Sequence, residues 1–423
     1  MEGKKVMGKY KELGKLTPIS KVLDELRRNV KIRPKIVEKL TVDSVSFISA
    51  ETIYSPFDFP PYDRSAVDGY AVRAEDTYGA STLNPIVLKV KGFMHTSDSP
   101  EKYSIDEGEC VEVTTGAPVP KGANAVVMVE YTKKISKELV EIYHPVPPLG
   151  NVSVRGEDVR KGDIIVKIGE VIRPWHIGLL ATLNISKIKV YDKLRAAIFG
   201  IGDELVPLGG KIKPGKIVSS TLYLVEAFLK EKNVSVLIKD ILPDDVNAIC
   251  EEIHEALKKV DMVFTSGGTS VGVKDYTIEA IKKLKPELMI HGLAIKPGRP
   301  AGIAVIKGKP VFALSGYPVA ALAVLSAVYE PFHYFLHNSA PPLKPKVKGI
   351  LIRRIYVEPG IRGYVRVKVF KKENKVFVEP LAVTGSGILS TMVKGNSVLI
   401  VPENVEGFDE GDVVEVELIS QLF

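Results

Sequence analysis

Cysteine is nearly absent. Cys110 and Cys250 are the only two in 423 residues and lie far apart in the chain, which excludes a disulfide framework and a thiolate metal cage and suits a reducing, cytoplasmic setting. Glutamine is rarer still: Gln421 stands alone against abundant Lys, Glu, Ile and Val, a bias resembling thermophile composition. The single tryptophan, Trp175 in "RPWHIG", reads as core or hinge. No apolar run reaches the about 20 residues of a membrane helix, and the nearest, "PVAALAVLSAVY" from Pro318 to Tyr329, reads as a buried helix. The opening "MEGKKVMGKYKELGK" is basic without the apolar core of a secretory signal and reads as a solvated tail. The net charge is +7, yet no basic stripe with interleaved aromatics marks a nucleic-acid partner. An anionic small substrate fits the charge instead. There is no Gly-x-Ser-x-Gly nucleophile elbow. "HYFLH" sets His333 and His337 one helical turn apart but lacks the glutamate of a zinc protease, so both read as packed or surface histidines. His254 and His291 have no ligand partners at useful spacing.

What is present is a multidomain, globular pattern. Apolar residues make up 45% and charged residues 26%, and the length exceeds one ordinary core. "TPISKVLDELRRNV" (17–30) predicts a helix with Thr17 as cap and Pro18 in the first turn. From about Pro85 to Pro148, short β-type runs broken by Gly and Pro predict a small β domain. From Arg195 the pattern alternates. "RAAIFGIG", "VSVLIKDI" and "DMVFTSGG" read as strands, separated by helices such as "SSTLYLVEAFLKEK" and "PDDVNAICEEIHEALKKV". "LMIHGLAI", "AGIAVI" and "PVFALSG" follow as strands, then a long helix from Pro318. Such alternation predicts a parallel sheet covered by helices on both faces, with ligands beyond the carboxyl ends of its strands. "NSAPPLKPKVKG" (338–349) is a Pro/Lys linker, and the remainder is β-rich.

The densest chemistry lies at one strand end, "TSGGTSVGVKDYT" (265–277). Ser266, Gly267, Gly268, Thr269, Ser270 and Gly272 combine small residues and hydroxyls, which let backbone amides approach an anion. The helix start behind them adds positive dipole. An ordinary βα loop needing Gly for its turn is the plain alternative. The stretch is neither a P-loop nor a GxGxxG fingerprint. Asp275 either holds Mg²⁺ at a phosphate or caps the following helix. Further loops fall on the same sheet edge. "GIGDELVP" offers Asp203 and Glu204, "PDD" offers Asp244, "LSGYPVAA" offers Ser315 and Gly316, and "AIKPGRP" offers Lys296, Pro297, Gly298 and Arg299. Each alone reads as a turn. Together they suit a phosphorylated substrate with a divalent ion. "TGSG" (384–387) reads as a turn rather than a substrate contact.

"SAVDGYAVR", "TTGAPVPKGANAVVMVE", "VRGEDVRKGD", "GDEL", "TSGGTSVGVKDYT" and "LAIKPGRP" occur in that order. This resembles the molybdopterin molybdenumtransferase family, which includes the gephyrin C-terminal region, from about Leu16 to the C-terminus. The resemblance implies a multidomain α/β and β fold: a three-layer parallel α/β domain like molybdopterin adenylyltransferase (172–337), an inserted β domain (55–148), and a C-terminal β barrel (344–423). An N-terminal segment (1–54) would pair with a return segment (149–171). It implies insertion of molybdate into adenylylated molybdopterin, with Mg²⁺-assisted release of AMP and formation of molybdenum cofactor. Asp68, Thr115, Glu204, Asp275 and Lys296 carry over as catalytic, and Asp275 and Glu204 as the metal ligands. The remaining loop residues named above would bind the ligand. The protein would be a homodimer in which Asp68 and Thr115 approach the partner's α/β site, and a molybdopterin adenylyltransferase would be a further partner.

Gly200 and Ile201 replace two hydroxyl residues usual in relatives, and Ser315 and Tyr317 replace Pro and Asn. Some relatives carry a lysine at Gly292. These changes touch the pocket wall and leave open tungstate in place of molybdate. A non-catalytic scaffold of the same fold is the remaining alternative.

Overall fold

The computed structural model describes residues 16–268, 275–382 and 385–420. The first helix is Ile19–Asn29, one residue-pair shorter at its start than the sequence predicts. Thr17 does not cap it. Its N–H donates to Gly292 O at 3.0 Å and its C=O accepts from Ala294 N at 2.9 Å, so a bridge to a distant strand takes the place of the local cap. Ile19, Val22 and Leu26 fall on one face and enter the same core as Ala196, Ile198 and Phe312. Residues further on pair elsewhere: Ile36–Leu40 with Lys187–Tyr191, and Ile53–Tyr54 with Ile164–Val166, both antiparallel.

Between them sits a six-stranded sheet built from Gly69–Val72, Ile86–Met94, Glu109–Val113, Ala125–Met128, Thr132–Lys134 and Leu139–Ile142. Tyr70 and Val72 face one core with Leu88, Cys110 and Val140, while Ala71 faces another with Met94 and Val111. Both faces of Gly69–Val72 are therefore covered, and all four residues are buried.

The α/β unit has six strands in the order Ser235–Leu242, Arg195–Ile201, Met262–Ser266, Lys309–Leu314, Gly302–Ile306, Leu288–His291. The first four are parallel. Gly302–Ile306 runs antiparallel to both its neighbours, Lys309–Leu314 and Leu288–His291, where alternation alone had suggested a wholly parallel sheet. The reason is covalent: only Lys307 and Gly308, with φ of 51° and 72°, join Gly302–Ile306 to Lys309–Leu314. Two left-handed residues make a hairpin, whereas a parallel crossover needs a dozen or more. Alternate residues of Arg195–Ile201 serve two cores. Ala196 and Ile198 pack with Leu222, Val225 and Leu229 of the helix Ser220–Glu231. Ala197, Phe199 and Ile201 pack with Ile249 and Ile253 of Val246–Lys259 and with Ile278 and Ile281 of Tyr276–Lys283. The helical stretch Pro318–Leu336 is apolar and long enough to cross a membrane, but it is 78% buried and supplies Tyr329, packed edge-on against the stacked Phe264–Phe312 pair.

Beyond the linker, Lys346–Leu351, Arg362–Lys372, Lys375–Ala382, Ser397–Val401 and Val413–Leu418 close into a five-stranded barrel. The short strand Ile295–Lys296 leaves the α/β unit and pairs with Arg362–Gly363 of the barrel. That pairing brings the barrel against the α/β strand ends.

Candidate functional site

The strand Arg195–Ile201 has its successor, Ser235–Leu242, on one side and Met262–Ser266 on the other. Chain connections therefore diverge between Arg195–Ile201 and Met262–Ser266, and a crevice opens beyond their carboxyl ends, where open α/β sheets bind ligands. A cavity of about 760 Å³ occupies it, and each of the four parallel strands contributes. Glu204 follows the first strand, Asp244 the second, Ser266–Gly268 the third, and Ser315–Tyr317 the fourth. Ser219 and Thr221, at the start of the helix Ser220–Glu231, complete the floor.

The glycine pair is required by approach. A Cβ on Gly267 would stand 2.3 Å from Ile201 O, and one on Gly268 would meet Thr277 Oγ1 at 2.4 Å; their φ values are +101° and +64°. The buried Thr277 hydroxyl donates to Gly267 O at 3.0 Å and ties the helix start to the loop. One expectation changes: the Gly267 N–H donates to Leu314 O at 3.2 Å, so the sheet ladder holds it and an anion does not. Ser315 Oγ accepts the Tyr317 N–H at 3.2 Å, which leaves its own proton to donate. Thr269, Ser270 and Gly272 lie outside the described residues.

The two acids of "PDD" divide their work. Asp245 caps Val246–Lys259, accepting from Asn247 N and Ala248 N at 2.9 and 2.8 Å. Asp244 lines the cavity with Glu204. Asp275 also caps its helix, accepting from Ile278 N at 3.1 Å, and its Oδ2 lies 3.4 Å from His291 Nε2. Burial holds the His291 pKa below its ordinary value, with Lys282 acting the same way, so that ring stays neutral.

A smaller cavity of about 290 Å³ adjoins the first, sharing Pro300, Ser315 and Tyr317. Lys296, Pro297, Gly298 and Arg299 line it, together with Arg366, Gly385 and Ser386 of the barrel. The two expected cations are not bare. Glu358 of the barrel accepts from Arg299 and lies 3.4 Å from Lys296 Nζ; the Arg299 guanidinium, then Lys296, hold its carboxyl below the usual range against the effect of burial. Arg366 is 3% exposed and donates to Thr391 Oγ1 and Gly385 O at 3.2 and 3.3 Å. Burial pushes its pKa down. Residues 385–387, read as a turn, are a turn that walls both cavities.

Sequence reasoning missed Glu358, Arg366 and Ser219, and read Ser386 only as part of a turn. Arg366 sits between Val365 and Val367 on the strand Arg362–Lys372, an alternation that suggests an outward, solvated face, yet all three residues are buried. Glu358 sits in an unremarkable "VEPG". No local signal marks either one.

Asp68 and Thr115 stand apart, in the inserted β domain. Asp68 Oδ1 accepts from Thr115 N at 2.6 Å and from its hydroxyl at 2.9 Å, and these two bonds, the backbone one first, hold its carboxyl below the usual range. Both residues are exposed, and neither lines either cavity.

Three family profiles match the chain: "MoeA N-terminal region (domain I and II)" over 17–184, "Probable molybdopterin binding domain" over 197–333, and "MoeA C-terminal region (domain IV)" over 348–419. The chain is 39% identical to a putative molybdopterin biosynthesis protein of Methanocaldococcus jannaschii, covering 94% of this chain and 96% of the relative. It is 29% identical to a molybdopterin molybdenumtransferase of Staphylococcus aureus, covering 95% of each. The crystal structure of a molybdopterin biosynthesis MoeA protein from Pyrococcus horikoshii superposes with a TM-score of 0.80 at 32% identity, over 96% of this chain and all of the other.

Proposed function

The chain belongs to the MoeA family, and from that premise we propose that it is a molybdopterin molybdenumtransferase, inserting molybdate into adenylylated molybdopterin and releasing AMP. The observation that carries the reading is the pair of joined cavities. One is lined by carboxylates, hydroxyls and close-approach glycines at the switch point; the other is walled by Lys296, Arg299 and Arg366. An oxyanion dianion in the second matches its cations, and a phosphoanhydride in the first matches its carboxylates with Mg²⁺ between them.

Each residue's part follows from its placement. Ser315 stands in both cavities with a hydroxyl proton to give, and would steady charge that develops on the cleaved phosphate. Lys296 and Arg299, with Glu358 between them, leave one net positive charge beside the buried Arg366; this attracts a dianion without filling the cavity with uncompensated cations. Mg²⁺ fits the larger cavity, because such sites need one or two carboxylates besides substrate phosphates and Glu204 and Asp244 share that wall; when bound, the ion would neutralise phosphate charge. Asp275 lines neither cavity, and its two oxygens face Ile278 N and His291 Nε2; we retain it with Glu204 as a metal-ligand proposal. Asp68, fixed by Thr115 and exposed, would serve the site of a second copy in a homodimer.

The test incubates purified full-length protein with adenylylated molybdopterin and Mg²⁺, with molybdate or tungstate in parallel, and follows AMP and cofactor. The expected result is AMP release that depends on the added oxyanion. AMP release that ignores the oxyanion would leave a simple hydrolase. No AMP and no binding of the nucleotide-bearing substrate would leave a scaffold. The arm with the higher rate names the metal.

A further inference from the structure

Tyr317 is 60% exposed although it stands where the two cavities meet and lines both. Its backbone is held firmly: the N–H donates to Ser315 Oγ at 3.2 Å and the C=O accepts from Ala321 N at 3.0 Å, with Pro318 opening the helix behind it. One edge of the ring lies against the barrel, since a Cβ on Gly387 would meet Tyr317 Cδ1 at 3.1 Å and Cε1 at 3.3 Å. Leu205, Ile217 and Leu389 add apolar wall to the larger cavity. Among the described residues no hydrogen bond to the phenol oxygen is made. A rigidly placed aromatic plate, wet on most of its surface and facing apolar walls inside a polar site, is a stacking platform without its partner.

We infer that Tyr317 is a specificity-determining residue whose ring stacks on a planar nitrogen heterocycle of the bound ligand and orients it where the larger cavity opens into the smaller. The inference rests on the proposed function, whose substrate carries two such rings, a pterin and an adenine. Stacking is indifferent to which of them lies there, since each has a π-face. Hydroxyls and charges around the ring then decide register, while the ring sets the plane.

The test measures dissociation constants of AMP, of 6-hydroxymethylpterin and of molybdate for the full-length protein and for Tyr317→Phe, Tyr317→Leu and Tyr317→Ala. The expected result is that one of the two rings binds about 5- to 150-fold more weakly to the Leu and Ala variants, that Phe restores wild-type affinity, and that molybdate binds equally to all four proteins. The ring that loses affinity identifies the heterocycle at Tyr317. With adenylylated substrate, KM rises in the Leu and Ala variants by a similar factor and returns with Phe, a rescue that a purely structural role at this helix start would not give. Equal binding of both rings by wild type and the Leu and Ala variants overturns the inference and leaves the proposed function standing. Failure of the wild-type protein to bind either ring overturns both.

Discussion

Replacing Gly267 by alanine tests the idea that the crevice depends on two strand ends touching. The new methyl would stand 2.3 Å from Ile201 O, on a backbone with φ of +101°. An L-residue at positive φ loses roughly 1–2 kcal/mol. The methyl adds overpacking of about 1–3 kcal/mol, and moving away strains the Gly267–Leu314 hydrogen bond of 3.2 Å, worth about 0.5–1.5 kcal/mol. Gly209→Ala isolates the first term, because Gly209 has φ of +82° and nothing within 4 Å of an added Cβ. Gly267→Ala should therefore exceed Gly209→Ala by about 2–4 kcal/mol. The chain has several cores, so a single unfolding midpoint would mix them. Native-state hydrogen exchange of the amides in Arg195–Ile201 and Met262–Ser266 reads the loss locally. If the two variants exchange alike and Gly267→Ala binds AMP as wild type does, the glycine serves only its backbone angle and the close-approach argument is wrong.

The adjacent acids of "PDD" should separate stability from function. Asp245→Ala removes two capping bonds and should cost about 0.5–2 kcal/mol in the helix Val246–Lys259 with little change in AMP release per folded molecule. Asp244→Asn should stay within about 0.5 kcal/mol of wild type yet weaken the Mg²⁺ dependence of AMP release; the reverse pattern would reassign both residues. Acid should also destabilise the contact between the long helix and the segment around Ile48 and Tyr191. Burial pulls His333 well below its usual 6.5, with His337 and Lys232 adding to the shift, and burial lowers His337 too. His337 Nδ1–H donates to His333 O at 2.7 Å, so both rings are packed in the neutral form, next to Arg173, Lys193, Asp192, Glu231 and Lys232. A base whose pKa falls on folding contributes full stability above 6.5, and stability is lost as pH drops below that value because the unfolded chain takes up protons first. Unfolding free energy should fall between pH 6.5 and 5.5 by at most about 1.4 kcal/mol per pH unit for each histidine, with a shallower slope in His333→Asn; a flat profile in wild type refutes it.

Much of this protein was determined by local pattern. The βα alternation after Arg195, the helix with Asp245 at its cap, the β-rich tail and the glycine pair after Ser266 each follow from spacing or small-residue chemistry within a dozen positions. The hairpin at Lys307–Gly308 was not read from the alternation, which suggested a parallel sheet, although two residues cannot carry a parallel crossover. The acids and glycines of the larger cavity were foreseeable for a related reason: strands of one parallel sheet must end together, so the loops after them share an edge.

What only the tertiary structure decided lies between units. Thr17 gave up its cap for a bridge to Leu293, and the Gly267 amide went to Leu314, because competing partners came from distant chain. Glu358 neutralises part of the Lys296–Arg299 charge, and Arg366 and Ser386 wall the smaller cavity, because the barrel docks through Ile295–Lys296 onto Arg362–Gly363. Periodicity reports which face of an element is covered. It carries no information about which element covers it, and the charge, the walls and the exposed ring of Tyr317 are all properties of that second choice.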